Sequence, residues 1–201
     1  MPGADPFWRS ALDGHVEPGV YGDTRAARPG VRLLERRAVA LVQVAAATRL
    51  KDLSRLFPSL GSCPVPGPGR ASRGKDFTVM WTGPGQWLLA SDSGPESHAF
   101  SDAAHSGTSP EVAVTDLGHA RTVIRIAGPR AVEVLLKGCP LDLDAFSADD
   151  CAGSLLSHMN VQLHCVDDRC FDVYVFRSFG LALWHWMRDA AMEFGVEISV
   201  G

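Results

Sequence analysis

An alternation of apolar and polar residues near the end of the chain constrains the fold more than any other feature of the sequence. Apolar residues occupy every second position from residue 161 to 165, and a similar alternation returns in residues 171–175. The run DDR at positions 167–169 is rich in residues that favour turns. Two alternating stretches that flank a short turn predict an antiparallel β-hairpin with one face in the core.

A helix and one more strand are expected after this hairpin. Ser178 is suited to cap the start of the helix, and Gly195 is suited to end it. The expected apolar stripe of the helix consists of Phe179, Leu183, Trp186, Ala190 and Phe194. Residues 196–200 predict a final strand. A helix with one apolar stripe must bury it, and the adjacent hairpin offers a sheet face on which to do so.

The earlier part of the chain adds strands and helices without a regular β-α-β alternation. Strands are predicted at residues 39–45, 77–81, 86–90, 112–117 and 122–127, and helices at 48–57, 95–104 and 130–137. The last of these helices is expected to start with Pro129 as its first residue and to stop at Gly138. The expected fold is therefore α+β, with antiparallel sheets and helices packed on one face.

The domain organisation is predicted to be an arm followed by one domain. Residues 1–30 contain four prolines and few apolar groups, so we expect an extended arm that packs onto its own domain or onto another chain. Residues 31–201 are expected to form a single domain, with a Pro/Gly-rich exposed loop at 58–74. A chain of this length can bury one full core without a disulfide or metal.

Charge is unevenly distributed along the chain. Residues 1–75 carry 12 Lys and Arg against 6 Asp and Glu, whereas residues 76–201 carry 7 against 17. Such asymmetry is typical of contact with an acidic partner surface or of docking between complementary surfaces, but a solvated surface has the same signature. Nucleic acid is the weakest candidate because the acidic part repels phosphate. The predicted interface residues are Phe7, Trp8, Arg9, Arg36 and Arg37.

Composition excludes several classes of protein. With 46% hydrophobic and 21% charged residues, the chain resembles a globular protein rather than a disordered tail. No stretch approaches the roughly 20 apolar residues that a membrane-spanning helix needs. The first ten residues have neither the basic start nor the apolar run of a secretion signal. We therefore expect a cytoplasmic protein.

The cysteines do not indicate a metal site. They lack the C-x-x-C spacing and are expected to be reduced and mostly buried: Cys63, Cys139, Cys151, Cys165 and Cys170. A zinc ion needs three or four converging ligands. His164 and Cys165 are neighbours in a predicted strand, so their side chains point to opposite faces. We therefore predict no metal site in this region.

Two pairs of residues are candidates for chemistry, and each has a structural alternative. Asp116 and His119 have the types of an acid–base pair, but a turn stabilised by the aspartate is the favoured interpretation. Arg121 and Arg125 fall on one face of a strand. Two interpretations follow: the pair binds a carboxylate or phosphate, or each arginine pairs with an acidic residue nearby. The sequence leaves both interpretations of the arginine pair open.

The remaining candidates are more simply explained by structure. Asp142 and Asp144 follow a helix, where a solvated loop is favoured. The tryptophans Trp81, Trp87, Trp184 and Trp186 are expected in the core or at an interface. The sequence contains neither a Gly-rich phosphate loop nor the G-x-S-x-G and H-E-x-x-H motifs. We therefore predict no catalytic, cofactor-binding or metal-binding residue in this chain.

Short runs in a consistent order along the chain resemble a known family. The runs DLGHAR at 116–121 and GPRA at 128–131, followed by Leu135, resemble the opening of the aminomethyltransferase (glycine-cleavage T-protein) folate-binding fold. Further runs resemble the gamma subunits of heterotetrameric sarcosine oxidases: RSAL at 9–12, GPGQWLL at 83–89, GCPLDL at 138–143, RSF at 177–179 and EFG at 193–195, with Cys151, Leu155 and Trp184. The resemblance spans about residues 9–195.

This resemblance implies a function for a larger assembly. It implies the fold of the N-terminal part of the T-protein and the role of a non-catalytic gamma subunit, inactive alone, in a complex that oxidatively demethylates sarcosine to glycine. In such complexes the alpha and beta subunits bind NAD, FAD, FMN and tetrahydrofolate. Hydrogen peroxide and methylene-tetrahydrofolate are formed on these subunits, and a small delta subunit binds zinc. The resemblance implies a main contact with alpha and no cofactor on this chain.

The chain departs from the T-protein pattern at one important place. That family has glycines and paired acids that position the folate, whereas this chain has MNVQL at 159–163; the folate site is therefore not expected here. Gly118 also replaces the usual serine. Two alternatives stay open: the equivalent subunit of an N-methylglutamate dehydrogenase, and a stand-alone folate-binding protein with its site near Asp116 and Arg121.

Overall fold

The computed structural model describes most of the chain, and the following account is confined to that part. The described residues are 9–23, 25, 28–37, 39–47, 63–91 and 110–200. Outside them lie the two helices predicted at 48–57 and 95–104, and the two predicted interface residues Phe7 and Trp8.

The described residues contain twelve strands and two α-helices. The strands are β1 (Gly19–Tyr21), β2 (Val31–Arg36), β3 (Ala40–Ala46), β4 (Ala71–Arg73), β5 (Phe77–Gly83), β6 (Gln86–Ser91), β7 (Val112–Asp116), β8 (Arg121–Ala127), β9 (Cys151–Leu156), β10 (Met159–Asp167), β11 (Cys170–Phe176) and β12 (Val196–Val200). The helices are α1 (Ala131–Leu136) and α2 (Gly180–Ala191). Short 3₁₀ turns at Leu143–Ala145, Arg177–Phe179 and Met192–Phe194 complete this set. Antiparallel sheets with few helices confirm the predicted α+β class.

The chain folds into two compact units. The described residues of Ala38–Ala120 belong to the first unit, and those of Arg9–Arg37 and Arg121–Gly201 belong to the second. The single domain predicted over residues 31–201 therefore contains two units. The boundary predicted at residue 30 stays a prediction.

The first unit is built on a five-stranded antiparallel sheet in the order β4-β5-β6-β3-β7. Its core is formed by side chains from one face of this sheet together with Cys63: Ala40, Val42, Val44, Cys63, Phe77, Val79, Trp87, Leu89 and Val112. All four strands predicted in this unit are present, and their ends agree with the prediction to within two residues: 39–45, 77–81, 86–90 and 112–117. Continuous apolar runs rich in β-branched residues were thus a sufficient signal here.

The β5–β6 hairpin turns at Pro84 and Gly85. Gly85 has a φ of 67°, a left-handed conformation that glycine adopts without a steric penalty. A Cβ atom at this position would lie 2.6 Å from the carbonyl oxygen of Ala46. Glycine is therefore required both by the turn and by the close approach of β3.

The segment predicted as an exposed loop at 58–74 is partly exposed and partly packed over its described part: Pro64, Gly67, Pro68, Arg70 and Arg73 are exposed, whereas Cys63, Pro66 and Ala71 are buried. Cys63 is fully buried, and the carbonyl oxygen of Pro66 accepts a 3.1 Å hydrogen bond from the indole Nε1 of Trp87. Residues 71–73 form β4, which pairs with β5. Prolines exclude a helix here, but they do not prevent a short edge strand or burial of the residues between them.

The second unit is built on a seven-stranded sheet in the order β1-β12-β2-β8-β11-β10-β9. β12 and β2 are parallel, and all other pairs are antiparallel. The predicted hairpin is confirmed as β10–β11, with a bulge between Cys165 and Asp167. β1, β2 and β9 were not predicted, because β1 is very short, β2 carries several charged residues, and β9 has few large apolar ones.

Both helices of the described chain pack on one face of this sheet, as predicted. The buried core on that face combines α1 and α2 with alternate residues of the strands: Ala131, Val134, Leu135, Leu183, Trp184, Met187 and Ala191 from the helices, and Val31, Leu33, Ile124, Ile126, Val161, Leu163, Cys165, Phe171, Val173, Val175, Val196 and Ile198 from the strands. This core, which is larger than the core of the first unit, lies between the sheet and the helices.

The start of α2 differs from the prediction. A 3₁₀ turn at Arg177–Phe179 precedes the helix, Phe179 occupies the N-cap position, and no side chain caps the helix. Ser178 is therefore not the cap. The buried stripe consists of Leu183, Trp184, Met187 and Ala191 with Gly180, so the predicted stripe was rotated by about one residue. Gly195, with a φ of 70°, follows the final 3₁₀ turn and confirms the predicted end.

The start of α1 also differs slightly. The helix begins at Ala131, and Arg130 occupies the N-cap position with a non-helical φ of −108°. Pro129 therefore precedes the helix rather than forming its first residue. The preceding Gly128 has a φ of 121°, so the chain is still turning at this point. The end at Gly138 is consistent with the prediction.

The described part of the predicted arm belongs to the second unit. Leu12 is fully buried in the core of this unit, and β1 pairs with β12. This part of the arm therefore packs onto its own chain, which is one of the two options that the sequence left open. None of the helices in the described part of the chain is long and apolar enough to span a membrane.

Candidate functional site

The face of the seven-stranded sheet opposite α1 and α2 carries a row of polar and charged side chains. In β11, Phe171, Val173 and Val175 lie in the helical core, so the alternate residues Asp172, Tyr174 and Phe176 point away from it. The strand registers place further polar residues beside them. We call this the polar face, and its members are Arg36, Arg121, Arg125, Gln162, His164, Asp172, Tyr174 and Phe176.

Asp172 lies at the centre of the polar face and is 1% exposed. Its Oδ1 accepts a 2.7 Å hydrogen bond from Nε of Arg125, and its Oδ2 accepts a 2.9 Å bond from Nη2 of the same residue. Arg36 also donates to Oδ2. Both carboxylate oxygens are thus engaged, and the hydrogen bond to Asp172 raises the pKa of Arg125. A carboxylate held by two arginines from neighbouring strands is suited to organising the sheet.

Tyr174 lies next to this ion pair and is 1% exposed. Burial, and then the negative charge of Asp172, raise the pKa of its hydroxyl, while Arg36 and Arg125 oppose the shift. Gln162 is its register partner on β10 and is buried as well. Tyr174 therefore stays protonated in the folded chain at neutral pH.

His164 and Cys165 lie on opposite faces of β10, as predicted. Nε2 of His164 is 3.5 Å from Oδ1 of Asp149, whereas Cys165 lies in the helical core. Burial raises the pKa of the Cys165 thiol to about 11, and Asp150 adds to the shift. Burial also raises the pKa of the Cys170 thiol. Both thiols are therefore poor sources of thiolate, the form that attacks electrophiles or binds metals.

The five cysteines are free, as predicted, and four of them are buried: Cys63, Cys139, Cys151 and Cys165. Cys170 is partly exposed. No group of three or more potential ligands that could hold a metal ion occurs in the described part of the chain.

Arg121 and Arg125 lie on the same face of β8, as the sequence indicates, but their surroundings differ. Arg125 pairs with Asp172, which is the local pairing that the sequence left open. The Cζ atom of Arg121 lies 3.7 Å from the centroid of the Phe176 ring. Burial lowers the pKa of Arg121, and no described residue provides a hydrogen-bond acceptor for its buried Nε. The two arginines therefore do not form one anion-binding pair.

The other candidate residues adopt the structural roles that the sequence favoured. Oδ1 of Asp116 accepts a 2.8 Å hydrogen bond from the amide of Gly118, which is a turn stabilised by an aspartate, and His119 is exposed beside it. Asp142 and Asp144 are both exposed. The tryptophans pack in or against the two cores: Trp184 and Trp186 in the second unit, and Trp81 and Trp87 in the first.

The three described interface candidates have different environments. Arg9 is exposed, and its carbonyl oxygen accepts a hydrogen bond from Arg177. Arg36 pairs with Asp172, and its side chain is only 12% exposed. Arg37 pairs with Glu35 over 3.1 Å, and Glu35 also accepts from Ser10. An interface role for these residues stays a prediction, and Arg9 has the most accessible side chain of the three.

Asp172 and Tyr174 were missed by sequence reasoning, although a signal was present. The β11 sequence CFDVYVF places one aspartate inside an otherwise apolar strand. A lone charge in such a strand indicates a buried ion pair, because an unpaired buried charge is strongly unfavourable. Within the described residues, the polar face is organised around the ion pair of Asp172 with Arg36 and Arg125 and the buried side chain of Tyr174.

Comparison with known families gives a match over most of the chain. The family model described as "Sarcosine oxidase, gamma subunit family" matches residues 69–193. This region contains the β5–β6 hairpin, the polar-face strands β8, β10 and β11, and both described helices.

Individual relatives have the same description. The protein "Sarcosine oxidase subunit gamma" of Corynebacterium sp. (strain U-96) is 32% identical over 119 residues, which cover 58% of this chain and 57% of that protein. The protein of the same name from Corynebacterium sp. (strain P-1) is 34% identical over 121 residues, covering 59% of each chain. That of Arthrobacter sp is 30% identical over 126 residues, covering 62% of this chain and 61% of the relative. The chain thus spans about three fifths of these curated relatives.

Solved structures extend the similarity in fold. A chain of the heterotetrameric sarcosine oxidase from Corynebacterium sp. U-96, solved in complex with pyrrole 2-carboxylate, superposes with a TM-score of 0.74 and 26% identity, covering 84% of this chain and 87% of that one. Glycine cleavage system aminomethyltransferase T from Bartonella henselae has a TM-score of 0.62 and 16% identity, covering 85% of this chain and 48% of the enzyme. This second similarity is one of fold alone, and it agrees with the predicted T-protein-like architecture.

Proposed function

The chain belongs to the sarcosine oxidase gamma subunit family, and from this premise we propose that it is the non-catalytic gamma subunit of a heterotetrameric sarcosine oxidase. The observation that carries the proposal is the family match over residues 69–193. In this role the chain is one part of an oxidoreductase that converts sarcosine to glycine, and it is inactive when isolated.

The side-chain chemistry of the second unit supports a structural role. Asp172 is neutralised by two arginines, and the pKa values of Cys165 and Tyr174 are raised. Catalytic groups are instead tuned toward the pH at which they work, and nucleophilic thiols have a lowered pKa. An ion pair held in this way and thiol and phenol groups with raised pKa values are suited to a stabilising role in an assembly.

The proposal assigns the chemistry to partner chains. Alpha, beta and delta subunits would hold FAD, FMN, NAD, tetrahydrofolate and zinc, and hydrogen peroxide and methylene-tetrahydrofolate would form on them. The main contact of this chain would be with alpha. The cytoplasmic location expected from the sequence is retained as part of the proposal.

Purification of the tagged chain from its native host tests this role. We expect three further subunits in the eluate by mass spectrometry, visible flavin absorbance, and hydrogen peroxide release when sarcosine is added. The same chain produced alone should have neither flavin absorbance nor activity. Recovery of the native chain free of any flavoprotein would contradict the proposal.

The substrate of the complex needs its own measurement. Turnover with sarcosine and with N-methylglutamate should be compared on the purified complex under identical conditions. We expect the higher kcat/KM for sarcosine. A clear preference for N-methylglutamate would instead assign the chain to the equivalent subunit of an N-methylglutamate dehydrogenase.

A stand-alone folate-binding protein is the alternative from another class, and only the fold similarity to aminomethyltransferase T favours it. Titration of the isolated chain with tetrahydrofolate in a calorimeter tests it directly. We expect no heat of binding, because MNVQL occupies residues 159–163 in place of the glycines and acids expected for that site. Saturable micromolar binding, lost in an Arg121→Ala variant, would favour the folate alternative.

A further inference from the structure

One end of the polar face combines arginines with exposed phenylalanines. Arg121, the first residue of β8, is the register partner of Phe176, the last residue of β11. Arg177 and Phe179 belong to the 3₁₀ turn that follows β11, and Arg177 donates a hydrogen bond to the carbonyl oxygen of Arg9. We call these five residues the arginine–phenylalanine surface.

The backbone of the second unit brings these residues together. A Cβ atom added to Gly180, just after the 3₁₀ turn, would lie 2.8 Å from Oγ1 of Thr122 and 3.2 Å from Cβ of Ala11. The turn, the start of β8 and the segment after Arg9 are therefore closely packed. The backbone therefore holds the five residues of this surface close together, independently of the conformations of their long side chains.

Among the described residues, the arginines of this surface have no acidic partner. Arg121 stacks on the Phe176 ring, and its buried Nε has no acceptor in the part of the chain that the structure describes. The guanidinium of Arg177 bonds to a neutral backbone carbonyl. No ion pair or hydrogen bond among the described residues joins Arg9, Arg121 or Arg177 to an acid. The contrast is with Arg125 on the same strand, whose charge is balanced by Asp172.

The phenylalanines of this surface are unusually exposed. Phe176 and Phe179 have exposed fractions of 44% and 48%. Exposed apolar area is unfavourable in water, and two such rings within four residues leave a substantial apolar area uncovered. Aromatic residues and arginine are the types enriched at the centres of protein–protein interfaces.

We propose that the arginine–phenylalanine surface docks an acidic segment of another subunit, in which an Asp or Glu carboxylate is flanked by apolar side chains. The carboxylate would accept hydrogen bonds from the guanidinium groups, which match its geometry. The flanking apolar side chains would cover Phe176 and Phe179. This inference rests on the gamma subunit role proposed above and names the contact surface and the chemistry of its partner.

Charge complementarity favours an acidic polypeptide over nucleic acid. The arginines here have no acidic partner within the described residues, but the chain as a whole carries a formal net charge of −4, and residues 76–201 have 17 acidic against 7 basic residues. Such a chain repels a phosphate backbone at longer range. A short acidic segment of a protein presents its charge only at the contact.

The test uses the assembled complex, formed by co-expression of the tagged chain with its partner subunits. Variants Arg121→Glu, Arg177→Glu and Phe176→Ala are compared with wild type for the amount of partner retained at increasing NaCl concentration. We expect wild type to lose partner as salt screens the contact. Each charge reversal should weaken retention by about tenfold or more, and Phe176→Ala by a smaller factor.

Matched controls separate docking from general effects. Arg188→Glu makes the same charge change on α2, at a side chain that is 40% exposed. Leu155→Ala removes an apolar side chain from β9 with the same 44% exposure as Phe176. Both should retain partner as wild type does. The thermal midpoint of each variant checks folding; if Arg121→Glu does not fold, the more peripheral Arg177→Glu decides the test.

The outcomes are distinguishable. If wild type brings no partner subunit, the gamma subunit role fails and this inference fails with it. If wild type brings its partners and all three surface variants do so equally, with unchanged salt dependence, the role stands and the docking surface is wrong. Binding of a single-stranded oligonucleotide by the isolated chain, lost in Arg121→Glu, would assign the surface to nucleic acid and also overturn the inference.

Discussion

The two faces of the seven-stranded sheet are stabilised in different ways. The helical face buries side chains such as Ile124, Val173 and Trp184 against α1 and α2, and these contacts are non-directional. On the polar face, Asp172 depends on hydrogen bonds with two particular arginines. The helical face therefore tolerates substitutions between apolar side chains of similar volume, whereas the polar face depends on the presence of each partner of the ion pair.

This difference indicates where the chain meets other molecules. The helical face is complete within the second unit, since its residues are buried by their own neighbours. On the polar face, Asp172 is paired with two arginines, whereas Arg121 has no acidic partner among the described residues and the neighbouring Phe176 is exposed. An incomplete end of an otherwise satisfied face is the expected place for a partner to bind.

The largest effect should come from removing an anchor of the helical face. Trp184→Ala deletes a side chain that is 1% exposed, and we expect a loss of about 3–5 kcal/mol in the free energy of unfolding because a cavity remains. Urea unfolding of the purified chain measures this. Asp189→Ala, at an exposed position of the same helix, is the control and should change stability by less than about 0.5 kcal/mol. Equal effects would show that this face does not dominate the core.

The next effect should come from the centre of the polar face. Asp172→Asn leaves Arg36 and Arg125 without their carboxylate in a buried place, so we expect a loss of about 3 kcal/mol in the free energy of unfolding. Asp168→Asn removes the same charge from the exposed turn between β10 and β11 and should have little effect. If both variants unfold at the same urea concentration, the paired arrangement does not stabilise the fold.

Tyr174 makes the polar face sensitive to alkaline pH. Its pKa is raised by burial, so the unfolded chain loses this proton near the ordinary tyrosine pKa of about 10 while the folded chain keeps it. The stabilisation is therefore fully present below about pH 10 and is lost as the pH rises, by at most about 1.4 kcal/mol per pH unit. Tyr174→Phe should remove this part of the slope above pH 10. Identical slopes for wild type and variant would contradict the assignment.

The same comparison explains how much was predictable from the sequence. The helical face follows from periodicity, so the β10–β11 hairpin, the strand β12 and the existence of α2 could be predicted. The stripe of α2 was misplaced because Trp184 and Trp186 are both apolar, and only packing against the strands decides that Trp184 is the buried one. The spacing of apolar residues in α2 fits both stripes, so periodicity alone does not choose between them.

The polar face was less predictable for a physical reason. The pairing of Asp172 with Arg36 joins residues 136 positions apart, and an ion pair leaves no periodic pattern in either strand. The strand β2 was not predicted for a similar reason: its sequence contains Glu35, a charged residue that is nevertheless only 3% exposed. The family resemblance, by contrast, could be identified from short runs because it depends on residue identity rather than on contacts.

The smallest effect on stability is expected for Arg121, which we compare with Arg125 on the same face of β8. Arg125→Met leaves Asp172 with one arginine in place of two, and we expect a loss of roughly 1–3 kcal/mol in the free energy of unfolding. Arg121→Met removes a cation–π contact worth about 0.5–1 kcal/mol but also removes a buried Nε–H without an acceptor, which offsets it. Arg121→Met should therefore change stability by less than about 0.5 kcal/mol in the isolated chain. A loss as large as that of Arg125→Met would show that Arg121 serves the fold, and its unpaired charge would then no longer indicate a docking site.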